Sequence, residues 1–208
     1  MGLFDNWFKE DAAPTTPSAK GAEKPATLTP VGSSATSGPP IVLATPTVPP
    51  KVPKTAYEYA APFIQKYETF QPEAYLDTNG KWAIGYGQQY IDDKPVVKGM
   101  KMTQEEAKDK FKTEYDRRRK QLDIYPNVAN MTPAMEARLM DVIWNADASK
   151  INEWPIIKGI LTSKDKAKLK ELDKELLTIR KGRVNGKLVI MPGLENRRKA
   201  SQIEMKDE

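Results

Sequence analysis

From Thr55 onward the apolar residues recur at helical spacing. Tyr59, Phe63, Ile64, Tyr67 and Phe70 share one face while Gln65 and Lys66 face away, which predicts an amphipathic helix with Glu68 in its last turn. Residues 73–91 then read as two short strands around Asn79-Gly80, a pair suited to a tight hairpin turn, with Asp77 at its mouth. Gly85 and Gly87 follow, where the backbone must bend or be approached closely. Thr103 and Glu106 have the spacing of a capping box and open a helix that runs to about Leu122. Thr132-Pro133 starts another, with Met135, Leu139, Val142 and Ile143 as its buried stripe to about Ala146. Ser163 is expected to cap a long Lys- and Glu-rich helix with Leu169, Leu172, Leu176 and Leu177 inward. Residues 182–188 read as a loop or small hairpin, and Pro192 opens a last helix. The pattern predicts one α+β domain over residues 56–208, mainly helical, with a small antiparallel hairpin sheet near its start.

Before Thr55 this pattern is missing. Residues 12–55 are mostly Ala, Pro, Thr, Ser and Gly, and ten of the 17 prolines fall before residue 54. With so little to bury, the segment cannot offset its ordering entropy and is expected to be a disordered linker. Residues 1–11 differ again, because Leu3, Phe4, Trp7 and Phe8 recur at helical spacing and form a short aromatic amphipathic tip. Two readings stand for it: docking to a virion or membrane partner, or a frayed terminus, since so short a helix is marginal alone. No run of 18 apolar residues occurs, and residues 1–11 lack the basic and apolar regions of a secretory signal, so the chain is expected to be soluble as made.

Charge and composition then narrow the chemistry. Lys plus Arg exceed Asp plus Glu by 33 to 28, a formal +5, too small to imply a nucleic-acid partner. The absence of cysteine removes disulfides and thiolate metal sites, and the absence of histidine removes Ser-His-Asp and Cys-His catalysis and the usual His-bearing zinc sites. No metal or other cofactor is expected, and catalysis falls to carboxylates, Lys, Tyr and hydroxyls. Glu68 and Asp77, on different elements, are the candidates for acid-base work. Taken alone, such a pair reads far more readily as a solvated helix end and a turn-forming Asp than as catalytic. Arg117-Arg118-Arg119 reads as a solvated helix face, Trp144 and Trp154 as core, and Trp82 as core or sugar platform.

Several motifs in series change the weight of that pair. Glu68-Thr69-Phe70, Ala74-Tyr75-Leu76-Asp77 and Gly80-Lys81-Trp82-Ala83-Ile84-Gly85-Tyr86-Gly87-Gln88 resemble the Glu-Gly-Phe, Ala-Tyr-x-Asp and Gly-x-x-Thr-Ile-Gly-Tyr-Gly-His fingerprint of the phage-type lysozymes, the endolysin muramidases. Gly99-Met100-Lys101-Met102-Thr103 with Glu106-Ala107, then Trp144-Asn145-Ala146, then Pro192-Gly193-Leu194-Glu195-Asn196-Arg197-Arg198 are similar to later motifs of that family, in the same order. The likeness covers residues 60–205. It departs at Ala83, where the family has Thr, and at Gln88, where it has His.

The resemblance implies a lysozyme-like domain that hydrolyses the β-1,4 bond between N-acetylmuramic acid and N-acetylglucosamine of bacterial peptidoglycan, without a cofactor. Glu68 would be the acid, since partial burial favours a protonated carboxyl, and Asp77 the ionised partner that orients water. Arg197, or else Arg198, would stand beside Glu68, and Asn145 would add a sugar hydrogen bond. Ala83 lacks the hydroxyl that in the family holds the attacking water with the Asp. Two further readings therefore stay open: a wall-binding or virion module that keeps the fold with little activity, and a lytic transglycosylase, which needs only an acid. The expected location is a phage host's cytoplasm when made and the cell wall when acting, reached through a membrane lesion or with a particle.

Overall fold

The computed structural model describes residues 52–77, 80–184 and 187–207. The readings made for the tip at 1–11 and for all but the end of the 12–55 segment lie outside these residues. The first element among the described residues is helix α1 (Ala56–Tyr67), which Thr55 caps by accepting from Glu58 N–H while the Glu58 carboxylate accepts from Thr55 N–H. Strands β1 (Gln71–Leu76) and β2 (Trp82–Gly85) pair antiparallel, with Tyr75 opposite Ala83 and Leu76 opposite Trp82. A second pair, β3 (Tyr90–Ile91) and β4 (Lys94–Pro95), turns through Asp92 and Asp93, both at positive φ. Helix α2 (Gln104–Lys120) has the same capping box as α1, built from Thr103 and Glu106.

Helix α3 (Pro133–Ala146) is the centre of the domain. Thr132 accepts from Met135 N–H to cap it, and nine of its fourteen residues are buried, so it packs on nearly every side. Around it lie α1, α2, the short helix α5 (Leu172–Leu176) and helix α6 (Pro192–Glu204), while helix α4 (Pro155–Thr162) packs on α5. Phe63, Ile64, Phe111, Leu122, Leu139, Met140, Ile143, Ile151, Leu161 and Leu172 fill a single apolar cluster between them. The last sheet, β5 (Lys181–Val184) with β6 (Lys187–Ile190), is a hairpin leading into α6. The fold is mainly helical with small antiparallel strand pairs.

Three sequence readings need correction. Glu68 does not sit in the last turn of α1: its N–H still donates to Ile64 O at 2.9 Å, but its own backbone is extended at φ −94° and ψ 122°. Phe70 therefore leaves the helical face and reaches the core from the connection to β1, tilted against Tyr86 with ring centroids 5.7 Å apart. The long helix expected after Ser163 is instead a 3-10 turn over Lys166–Glu171 followed by α5, and Ser163 closes α4. Asp165 starts the turn by accepting from Ala167 N–H, and Leu169, Leu172 and Leu176 still point inward. The third correction concerns the arginine run of α2, where Arg118 is buried and bonded to Glu114, Arg117 also holds Glu114, and Arg119 holds Glu136 and Asp123. It is a paired face, not a solvated one.

Candidate active site

Glu68 stands where α1 turns into β1, its side chain only 10% exposed. One oxygen accepts from Arg197 Nη1 of α6 at 2.8 Å. The Arg197 side chain has no exposed surface, and its Nε donates to Asp141 of α3 at 2.8 Å. Arg198 Nη1 donates to the other Asp141 oxygen, its Nε to Ile179 O at 3.2 Å, and its Nη2 to Asn145 Oδ1 at 3.3 Å. Burial works against the Arg197 charge, yet Asp141 and Glu68 outweigh it and hold the guanidinium above its ordinary range. For Arg198, burial is only partly offset by Asp141, and the group lies below its ordinary range. A fully buried anion thus locks two cations, and one of those cations fixes the Glu68 carboxylate.

Asp77 lies at the end of β1, and its oxygens accept from Lys81 N–H at 2.8 Å and from Gln89 Nε2 at 3.0 Å. Two residues back, Tyr75 faces both sides of the site electrostatically. Burial first, then the charges of Glu68 and Asp77, push its phenol well above the ordinary range, so it remains a neutral hydroxyl that feels both carboxylates. Across the ladder from Tyr75 stands Ala83, 2% exposed.

The turn after β2 is fastened from below. Gln88 is fully buried; its Oε1 accepts from Tyr86 N–H and its Nε2 donates to Ala107 O of α2, each at 2.7 Å. Gly85 is at φ 65°, and a Cβ there would stand 2.4 Å from Gln88 Oε1, so glycine is the residue that lets the turn close over this amide. Trp144 donates to Tyr86 O at 2.9 Å, stacks on Phe111, and carries the Arg118 guanidinium over its ring, 4.2 Å from the centroid. It is core, as the sequence reading has it. Past α3, Asp147 holds φ 73° and ψ 145°, a conformation that side chains rarely adopt, and accepts from Ser149 N–H while pairing with Lys81 Nζ at 3.6 Å.

The structure thus brings Arg197 rather than Arg198 onto Glu68, places Asn145 against Arg198, and sets Ala83 beside Tyr75 on the hairpin that carries Asp77. Sequence reasoning missed Asp141, Tyr75 and Gln89. Asp141 had a signal: it is a lone acid in the apolar run Leu139-Met140-Asp141-Val142-Ile143. Gln89 had none, because only the fold brings it to Asp77. Among the described residues no cluster of three acidic, His or Cys side chains could hold a metal ion. The arrangement is one carboxyl held by a buried cation and one held by a backbone N–H and an amide, on separate elements, which suits protonation on one side of a bond and water activation on the other.

Residues 65–201 match the sequence model of the phage lysozyme family. Among solved structures the chain is similar to the endolysin from Escherichia coli O157:H7 phage FAHEc1, at 26% identity and a TM-score of 0.54, over 71% of this chain and 90% of that one. It is also similar in fold to the muramidase domain of SpmX from Asticaccaulis excentricus, at 16% identity and a TM-score of 0.55, over 72% of this chain and 95% of that one. No curated protein matches it. The matched span takes in more than half of the 208 residues and contains both carboxylates, and the chain belongs to the phage lysozyme family.

Proposed function

We propose that this domain is a phage muramidase that hydrolyses the β-1,4 bond between N-acetylmuramic acid and N-acetylglucosamine in peptidoglycan. The observation that carries the reading is the unequal setting of the two carboxyls around Tyr75: Glu68 shielded and held by Arg197, Asp77 held by Lys81 N–H and Gln89. Glu68 gives its proton to the glycosidic oxygen as that bond breaks. Asp77 orients a water, accepts its proton as the new bond to the anomeric carbon forms, and balances the oxocarbenium-like charge. Arg197 keeps the Glu68 side chain in one orientation, and Asn145 contributes a sugar hydrogen bond. Membership of the phage lysozyme family supports the reaction class, and the likeness to a phage endolysin supports a role in lysis or wall penetration.

A second reading rests on Ala83. Its methyl offers no hydroxyl to share a water with Asp77, whose two oxygens already accept hydrogen bonds, and a wall-binding or virion module that keeps the fold without efficient hydrolysis fits that chemistry. Lysis of outer-membrane-permeabilised Gram-negative cells separates the two. Rapid clearing by the native chain that Glu68→Gln abolishes fits the muramidase; binding to sacculi with no clearing by either protein fits the module. Equal clearing by both would remove Glu68 from the reaction.

A further inference from the structure

The β5–β6 hairpin is built unlike the rest of the surface. From Ile179 to Met191 it carries Arg180, Lys181, Arg183 and Lys187 and no acidic residue, a local charge of +4. All four residues of β6 are exposed, with Leu188 at 58%, Val189 at 39% and Ile190 at 47%. Successive strand residues point to opposite faces, so three aliphatics in a row leave apolar surface on both sides of a two-stranded ribbon. The register sets Lys181 opposite Ile190, which places a cation beside an aliphatic side chain on one face. At its base the ribbon is anchored: Met191 N–H donates to Arg180 O at 2.9 Å, Met191 packs against Gly182, and Arg180 is paired with Glu195, which also holds Lys199. Among the described residues, no side chain covers Leu188, Val189 or Ile190, while the base of the ribbon is held.

We propose that this hairpin docks the enzyme on an anionic lipid surface. Exposed aliphatics gain only from an apolar medium, and the cations other than Arg180, which Glu195 already balances, gain from a negative one; a membrane of anionic lipids supplies both at the same depth. The segment has no aromatic ring on which a sugar could stack, which disfavours the glycan strand as its partner. The chain has no cysteine, so Val189→Cys in the full-length protein takes an environment-sensitive dye at one site, with Ile124→Cys as an exposed position elsewhere. With vesicles of mixed phosphatidylglycerol and phosphatidylcholine, the dye at 189 shifts to the blue and the dye at 124 does not; phosphatidylcholine alone gives no shift. Lys181→Glu with Lys187→Glu weakens vesicle binding by more than about tenfold at low salt, each cation near such a surface being worth about fivefold. The proposal fails if the protein sediments with vesicles while the dye at 189 is unmoved, since another part of the chain is then the anchor. It fails equally if nothing sediments, or if the paired charge reversal abolishes binding to purified sacculi and leaves vesicle binding intact.

Discussion

Asp141 takes a hydrogen bond from Arg197 Nε at 2.8 Å and another from Arg198 Nη1, and none of the three side chains has appreciable exposed surface. Removing the anion leaves the buried Arg198 guanidinium without a carboxylate and Arg197 with Glu68 alone, which costs far more than the pair itself contributes. Asp141→Asn is expected to lose about 3–5 kcal/mol in denaturant unfolding, as broken buried ion pairs do. Arg197→Lys should be milder in stability but should free the Glu68 carboxyl, since an ammonium cannot hold two acids in a fixed fork. Ala83 poses the opposite question, of what is missing. It is buried opposite Tyr75, so Ala83→Thr adds a hydroxyl to the hairpin that carries Asp77 and crowds a packed site by one methyl and one oxygen. Activity on sacculi should hold or rise, while overpacking lowers stability by about 1 kcal/mol. A large fall in turnover in a folded Ala83→Thr protein would mean that the water is placed by some other group.

At the scale of elements, the two capping boxes and the Gln88 clip decide where the site's scaffolding begins. Glu106 is held below the ordinary carboxylate value of 4.5, first by the backbone N–H of Thr103 and then by its hydroxyl; Glu58 is lowered in the same way by Thr55. A depressed folded value means that this stabilisation is complete above about pH 4.5 and is lost as pH falls through the folded value. Acid unfolding should therefore be less steep in Glu106→Gln than in the native chain over that range, with no difference at neutral pH beyond a constant offset. The Thr103–Glu106 cap was legible in the sequence because Thr-x-x-Glu is a local signal that needs no tertiary partner, and the Thr55–Glu58 box went unread although it carries the same signal. The region after Ser163 was not legible, because leucines at helical spacing fit a 3-10 turn and a short helix equally well, and the Asp165 cap that starts the turn reads as an ordinary surface acid. Helix α4, Pro155–Thr162, went unread although Pro155 sits at a helix start and Ile157, Ile160 and Leu161 are buried.

For the molecule as a whole, long-range contacts explain what pattern alone left out. Arg118 looks like one of three surface cations until the fold carries its guanidinium to Trp144 O and Gly87 O, 26 and 31 residues away. Glu68 and Arg197, 129 residues apart, could be paired beforehand only through the family likeness, while the hairpin that holds Asp77 was visible in its own turn residues. Thr55 caps α1, the first element among the described residues. Deleting residues 1–51 should leave the melting temperature and wall-degrading activity of the domain unchanged, as thermal unfolding and a zymogram would report; loss of activity would tie the N-terminal segment to catalysis. The account as a whole rests on Glu68 acting as the acid in a hydrolysis. Purified sacculi digested in parallel by the native chain and by Glu68→Gln, with the released glycans weighed by mass spectrometry, test this most directly. Products from the native chain should end in reducing N-acetylmuramic acid and be absent with Glu68→Gln. Products ending in 1,6-anhydromuramic acid would contradict hydrolysis, and undiminished release by Glu68→Gln would contradict the acid.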